Sequence, residues 1–167
     1  LELPGQTFVR LDGDTTVVLQ RLNDQGVELA LAKGSLYVSR GNGAGPAMVQ
    51  TFGGAVELGG SSMARIGTDD RRTQIDVKVA KGSAEMRAEK TAIAVPEGKT
   101  LVWTKSGSRH DAWGASRYDE FDRWNQTREN TVRGYTYPTA VSSSAIGAYE
   151  LEGNGTWVMI DGYQAWR

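Results

Sequence analysis

Few side chains in this sequence can do chemistry, and their spacing sets the first limits. The single histidine, His110, is followed by Asp111. Such a pair can orient an imidazole for proton transfer, but a hydrolytic triad also needs a nucleophile on a rigid elbow, and no G-x-S-x-G occurs. His110 stands in a polar stretch, Lys105 to Asp111, that reads as solvated loop. Cysteine is absent, which removes thiol nucleophiles, disulfides and thiolate metal sites together. A zinc site on one histidine would need a carboxylate cage. Asp12-Gly13-Asp14 and Asp69-Asp70 are short acidic turns without the spacing of a calcium loop. Carboxylates for glycoside hydrolysis need a fixed separation across a cleft, which sequence spacing does not supply. Lys33-Gly34-Ser35 and Lys81-Gly82-Ser83 run into strands, whereas a phosphate loop is longer and opens a helix. The sequence therefore predicts no catalytic residue, no cofactor and no metal, so not an enzyme.

What remains is contact chemistry. Ser116 is placed to cap a helix whose first turn carries Asp119 and Glu120. Tyr118, Phe121, Trp124 (with Asn125) and Arg128 then share one face. That face is expected to dock on the rest of the domain, with a partner site as the other reading, and the helix to end near Glu129 or Asn130. Beyond it, Tyr135-Thr136-Tyr137-Pro138 reads as extended and Ser142 to Ser144 as a loop. Asn154-Gly155 predicts a hairpin joining 149–152 to 156–160, and Asp161-Gly162 a second turn. Tyr135, Tyr137, Tyr149, Trp157, Tyr163 and Trp166 make six of the 14 aromatics in about a fifth of the chain. Such rings pack on their own domain, pair across strands, bury in another chain or stack on sugars. The candidate contact surface is thus Tyr118, Phe121, Trp124, Arg128, Tyr149, Trp157, Tyr163 and Trp166.

The elements that must carry these residues are mostly strands. The chain has 167 residues, 21 of them glycine and 4 proline, with 19 basic against 20 acidic groups. No basic face stands out for nucleic acid, and no apolar run approaches the ~20 residues of a membrane-spanning helix. Period-2 alternation fills residues 7–104 in eleven short runs separated by turn signals such as Asp12-Gly13, Lys33-Gly34, Gly41-Asn42-Gly43 and Glu97-Gly98. Val27–Val38 aligns without a gap on Ile75–Met86, sharing Ala-Lys-Gly-Ser, and each copy has an arginine before a branched residue upstream, Arg10-Leu11 and Arg65-Ile66. A duplicated unit of this kind predicts stacked β-rungs, each burying its neighbour's apolar face.

These residues resemble a known family. The series R-L-D-G-D-T from Arg10, V-Q-T-F-G-G-A-V-E-L-G from Val49, and the copies around Lys33-Gly34 and Lys81-Gly82, closed by Val95-Pro96-Glu97-Gly98, are similar to a FecR-like domain over about residues 1–104. Its first strands are missing from the pattern. The Phe121-Asp122-Arg123-Trp124…Arg128 helix and the Gly155-Thr156-Trp157…Trp166 tail resemble an uncharacterised group of secreted bacterial proteins built on that domain. The resemblance implies a β-solenoid-like fold and an extracytoplasmic address. FecR itself relays a signal from an outer-membrane receptor to a sigma factor through a cytoplasmic segment and a membrane helix, neither of which this sequence displays. The opening Leu1-Glu2-Leu3 has no signal-peptide pattern and reads as part of a strand, so we expect a segment of a longer polypeptide.

The expected layout is a mainly β domain at 1–104, solenoid-like or alternatively a β-sandwich, a linker at 105–116, and a short helix with a C-terminal hairpin at 117–167. The expected function is a periplasmic, cell-surface or secreted binding or assembly module, contacting a protein partner or itself through strand edges, helix and aromatic tail. A periplasmic sensor of FecR-type signalling is the first alternative, and a carbohydrate-binding module the second.

Overall fold

The computed structural model describes residues 1–3, 6–23, 26–41, 44–134, 146–151 and 154–167. Fourteen strands, among these residues, carry most of the chain: β1 (Glu2–Leu3), β2 (Thr7–Leu11), β3 (Thr16–Asn23), β4 (Gly26–Arg40), β5 (Ala47–Thr51), β6 (Gly54–Leu58) and β7 (Met63–Thr68). They continue as β8 (Gln74–Lys81), β9 (Ser83–Ala88), β10 (Thr91–Pro96), β11 (Lys99–Thr104) and β12 (Gly107–Ala112). Helix α1 (Glu120–Gly134) follows, then the hairpin β13 (Trp157–Ile160) and β14 (Tyr163–Trp166). The mainly β architecture with one helix and a terminal hairpin is the expected one.

The twelve-stranded sheet is nearly closed and barrel-like. It has two faces that share β4. The back layer runs β3, β4 (residues 26–33), β5, β6, β9, β10, and the front layer runs β1, β2, β4 (residues 34–40), β7, β8, β11, β12. Among the described residues all ladders are antiparallel except β4 with β5. Between the layers Leu36, Val38, Val49, Val56, Ile66, Ile75, Val77, Val79, Met86, Val95 and Leu101 are fully buried.

The duplicated segment acts as a corner. The turn expected at Lys33-Gly34 is not a chain reversal, because β4 runs unbroken through it for 15 residues. Val27, Leu29 and Leu31 face the core before the corner, and Leu36 and Val38 after it. The period-2 phase therefore slips by one residue across Lys-Gly-Ser, which keeps the apolar side inward as the strand changes layer. Gly34 takes φ +85°, and a Cβ there would lie 2.4 Å from Thr15 Oγ1. The second copy repeats the device in reverse, with Ile75, Val77 and Val79 in the front layer, Gly82 at φ +73°, and Ala84 and Met86 in the back layer.

Residues 105–116 are not a linker. Gly107–Ala112 pairs with β11 along its whole length, and Trp113 behind it is buried, its backbone N–H donating to Gly98 O at 2.8 Å. His110 therefore lies on an edge strand, its Nε2 3.0 Å from the Ala94 carbonyl of β10. The cap also differs from expectation. Ser116 sits in a 3-10 turn, and Asp119 caps α1: the Asp122 N–H donates to Asp119 Oδ1 at 2.9 Å, and the Asp119 N–H to Asp122 Oδ2 at 3.3 Å. This reciprocal box satisfies two donors that a helix start leaves unpaired, and α1 runs on to Gly134.

In the tail, Ala148–Leu151 is a 3-10 turn rather than a strand, so the hairpin expected at Asn154-Gly155 does not form. The hairpin forms at Asp161-Gly162, both residues at positive φ, the turn geometry that matches strand twist. The extended segment expected at 135–138 and the loop at 142–144 lie outside the described residues.

Candidate interaction surface

The outer side of the front layer carries a row of charge fixed by strand register. Arg10 of β2 is paired with Tyr37 of β4, Tyr37 with Arg65 of β7, and Arg65 with Lys78 of β8. Cross-strand partners stand about 5 Å apart on one face, so this row is contiguous. Its two arginines are the ones that precede the branched residues in the duplicated pattern.

Helix α1 lies over this row with its polar side down. Its buried residues are Asp122, Asn125 and Glu129, spaced i, i+3, i+7. Arg10 Nη1 meets Glu129 Oε1 at 2.5 Å, and Ser39 Oγ donates to Glu129 Oε2 at 2.9 Å. Arg65 gathers Asp119 at 2.5 Å, Asp122 at 3.0 Å and Asp12 at 3.1 Å. Lys78 Nζ stands 4.0 Å from Asp122. The Arg10 guanidinium also lies over the rings of Phe8 and Tyr37, at 5.3 and 5.9 Å.

Titration behaviour follows this packing. Burial opposes the Arg65 charge, yet its hydrogen bonds to Asp119 and Asp122 outweigh that and raise its pKa. Burial would raise the Asp119 pKa, but the Asp122 N–H and the Arg65 guanidinium hold it below the ordinary carboxylate value. The Tyr37 hydroxyl is pushed far up, first by burial and then by the Glu129 carboxylate.

Of the expected docking face, Asn125 is buried and Phe121 half-buried, whereas Arg128 is exposed, and the buried centre is shifted onto Asp122, Asn125 and Glu129. Phe121 and Trp124 stack on each other, centroids 6.0 Å apart and planes within 14°, beside the buried carboxylates; Phe121 is half-buried and Trp124 is 45% exposed. Arg128 lies 5.7 Å over the Trp124 ring, and Arg65 5.0 Å over Phe121. The physical reason is that the sheet offers guanidinium groups where an amphipathic helix would normally find an apolar floor.

The remaining candidates fall into separate clusters. Tyr118 packs on Trp113 at 4.8 Å, and Tyr149 meets Phe8 edge-on at 5.4 Å. Trp157 and Trp166 are cross-strand partners at 5.3 Å, while Tyr163 points into solvent, 77% exposed. Only Phe121, Trp124 and Arg128 form a continuous ridge. Trp124 also closes one side of a mainly apolar groove of about 340 Å³, whose walls are Leu1, Val9, Arg10 and Leu11 on the front-layer side and Val17, Leu19 and Leu29 of the back layer. Sequence reasoning missed this groove, because it lies where the two layers part, and that depends on how they stack. Among the described residues no three His, Asp or Glu side chains converge as metal ligands, and no helix is long and apolar enough to cross a membrane.

Comparison with protein families decides the kinship. The FecR protein family matches residues 1–85. The chain belongs to the FecR family. The matched part of this FecR domain includes Arg10, Tyr37, Arg65 and Lys78, whereas α1 lies beyond it. Among solved structures, one described as a "putative anti-sigma factor" from Parabacteroides distasonis ATCC 8503 is similar with a TM-score of 0.62 and 15% identity, over 75% of this chain and 59% of that one. A second of the same description has a TM-score of 0.60 and 13% identity, over 99% of this chain and 92% of that one. The chain thus spans less than two thirds of the first of these. At such identity the likeness is one of fold. No curated protein matches.

Proposed function

We propose that this chain is the sensing part of a FecR-type signalling protein, placed outside the cytoplasm and working by protein contact rather than catalysis. The observation that supports this most is the FecR match over residues 1–85, and the fold likeness to proteins described as anti-sigma factors adds to it. The geometry suits a relay. The matched domain supplies the basic row, and a helix from outside the match is held on it by ion pairs. A buried ion pair gains little net free energy over an apolar equivalent, because desolvation offsets most of the attraction. A partner that grips the exposed Trp124 and Arg128 can therefore shift α1 at modest cost while the core stays intact.

Deleting the gene from its host and profiling transcripts tests this reading. The expected outcome is a change in one discrete promoter set, restored by the intact gene and not by an Arg65→Met version. An unchanged profile under every growth condition tried overturns the signalling role. A phosphatase fused after Arg167, active only when exported, checks the address, and a silent fusion rejects it.

A further inference from the structure

A cavity of about 480 Å³ opens between the two layers, where β10 of the back layer faces the β11–β12 hairpin of the front layer. Its volume falls within the range of small-molecule sites, about 300–1,000 Å³. Strand register shows which side chains enter it, because cross-strand partners share a face. Trp103 of β11 is paired with the fully buried Ile75 and with Ser108 of β12, so Ser108 points inward beside Trp103. Thr91 and Ile93 of β10 are paired with the buried Ala88 and Met86, so they point inward from the other layer. Phe52, in the turn between β5 and β6, adds a second ring, its centroid 6.2 Å from that of Trp103.

The core changes character at this end. One step further along the same faces stand Leu101 and Val95, both fully buried. The cavity instead receives two hydroxyls, Thr91 and Ser108, whose side chains bond none of the described residues. Phe52, Ile93 and Trp103 are only half-buried around it. The Trp103 ring is held in place, because it lies so close to Gly53 that a Cβ there has no room. Its indole N–H finds no acceptor among the described residues, yet unlike those of Trp113 and Trp157 it is not sealed from solvent. Glu89 and Lys105 stand at the mouth, both exposed and without an ion pair among the described residues.

These groups define the chemistry of an occupant. The face of an aromatic ring is electron-rich and attracts the weakly positive C–H groups of a ligand. An acyl chain would bury two hydroxyls and an N–H without partners, at a cost in free energy. The charges of Glu89 and Lys105 cancel, so the mouth favours neither an anion nor a cation. A neutral molecule with a C–H face and a hydroxyl edge satisfies all of these, and that is a sugar ring.

We propose that this cavity is a saccharide site, in which one ring of a neutral glycan lies on Trp103 and Phe52. Its hydroxyl groups bond Thr91, Ser108 and the Trp103 indole N–H. The site shares no residue with the basic row under α1, so it goes beyond the signalling reading and does not depend on it.

Isothermal titration calorimetry of the 167-residue chain with cellotetraose, maltotetraose and chitotetraose tests this site. At least one of the three is expected to bind with a Kd below about 1 mM. Ser108→Phe fills the cavity from an exposed position and is expected to abolish that binding. Thr91→Val removes one hydroxyl and is expected to weaken it about fivefold, the worth of one hydrogen bond. Unfolding midpoints that match wild type show that both variants keep the fold. Failure of all three sugars to bind below about 1 mM overturns the proposal. Sugar binding that neither variant weakens places the sugar elsewhere and overturns it too. So does N-phenylnaphthylamine, a neutral apolar dye, if it binds in the wild type but not in Ser108→Phe and no sugar displaces it. Calorimetry reads binding alone, so failure here leaves the signalling reading standing.

Discussion

Arg10 and Glu129, 119 residues apart in the chain, meet at 2.5 Å with both side chains more than nine-tenths buried. This contact ties the FecR domain to the helix that follows it. Glu129 also accepts from Ser39, so its carboxylate is bonded from two strands.

Removing one partner of that pair is expected to cost far more than removing both. Glu129→Ala leaves a buried guanidinium with no counter-charge, a loss of about 3–5 kcal/mol. Arg10→Met with Glu129→Leu is expected to fall within about 1 kcal/mol of wild type, since well-packed apolar replacements of buried pairs are often neutral. Urea unfolding of the two single variants and the double variant measures the difference.

Acid should loosen the N-terminal end of α1 first. The Asp119 pKa is lowered in the folded state, so its carboxylate contributes stability that is present above the ordinary carboxylate pKa and is lost as pH falls through the lowered folded value. Half of the Asp119 side chain is exposed, which keeps the effect small. Trp124 fluorescence and helical circular dichroism, followed below pH ~4, should change before the strand signal does. In Arg65→Met this early step should move to higher pH.

Gly34→Ala is expected to destabilise by more than the ~1 kcal/mol usual for a glycine replaced at positive φ. The added Cβ would also press on Thr15 at the layer-switching corner. Gly60→Ala, where a Cβ meets nothing within 4 Å, is the matched control. Thermal midpoints of the two should separate clearly.

The two tryptophans flanking the start of α1 should behave oppositely. Trp113 is buried under Tyr118, and Trp113→Ala is expected to cost about 3–5 kcal/mol. Trp124 stands on the ridge, 45% exposed, and Trp124→Ala should cost under about 1 kcal/mol. If the ridge serves signalling, Trp124→Ala alters the transcript profile while the protein accumulates normally.

Much of the fold could be read in the residues themselves. Alternation marked the central strands, because a strand covered on one side must place apolar groups every second residue. The repeated Ala-Lys-Gly-Ser marked a shared structural device, although its role as a corner needed the layers to be seen. β12 was missed for a physical reason: an exposed edge strand of Gly-Ser-Arg-His-Asp-Ala carries no apolar alternation and is held by backbone bonds to β11. The Asn154-Gly155 hairpin failed because a turn signal needs two strands beside it, and Ala148–Leu151 coils instead.

The sequence by itself determined the apolar strands of residues 7–104, the family and the presence of a helix carrying Phe121 and Trp124. Only the tertiary structure decided which way that helix faces. Arg10, Tyr37, Arg65 and Lys78 become one row through register between strands far apart in the chain. A hydrophobic pattern can say which side of a helix prefers an apolar floor. It cannot say that the floor it meets is a line of charge, which is why Asp122, Asn125 and Glu129 lie buried and Trp124 stays half exposed.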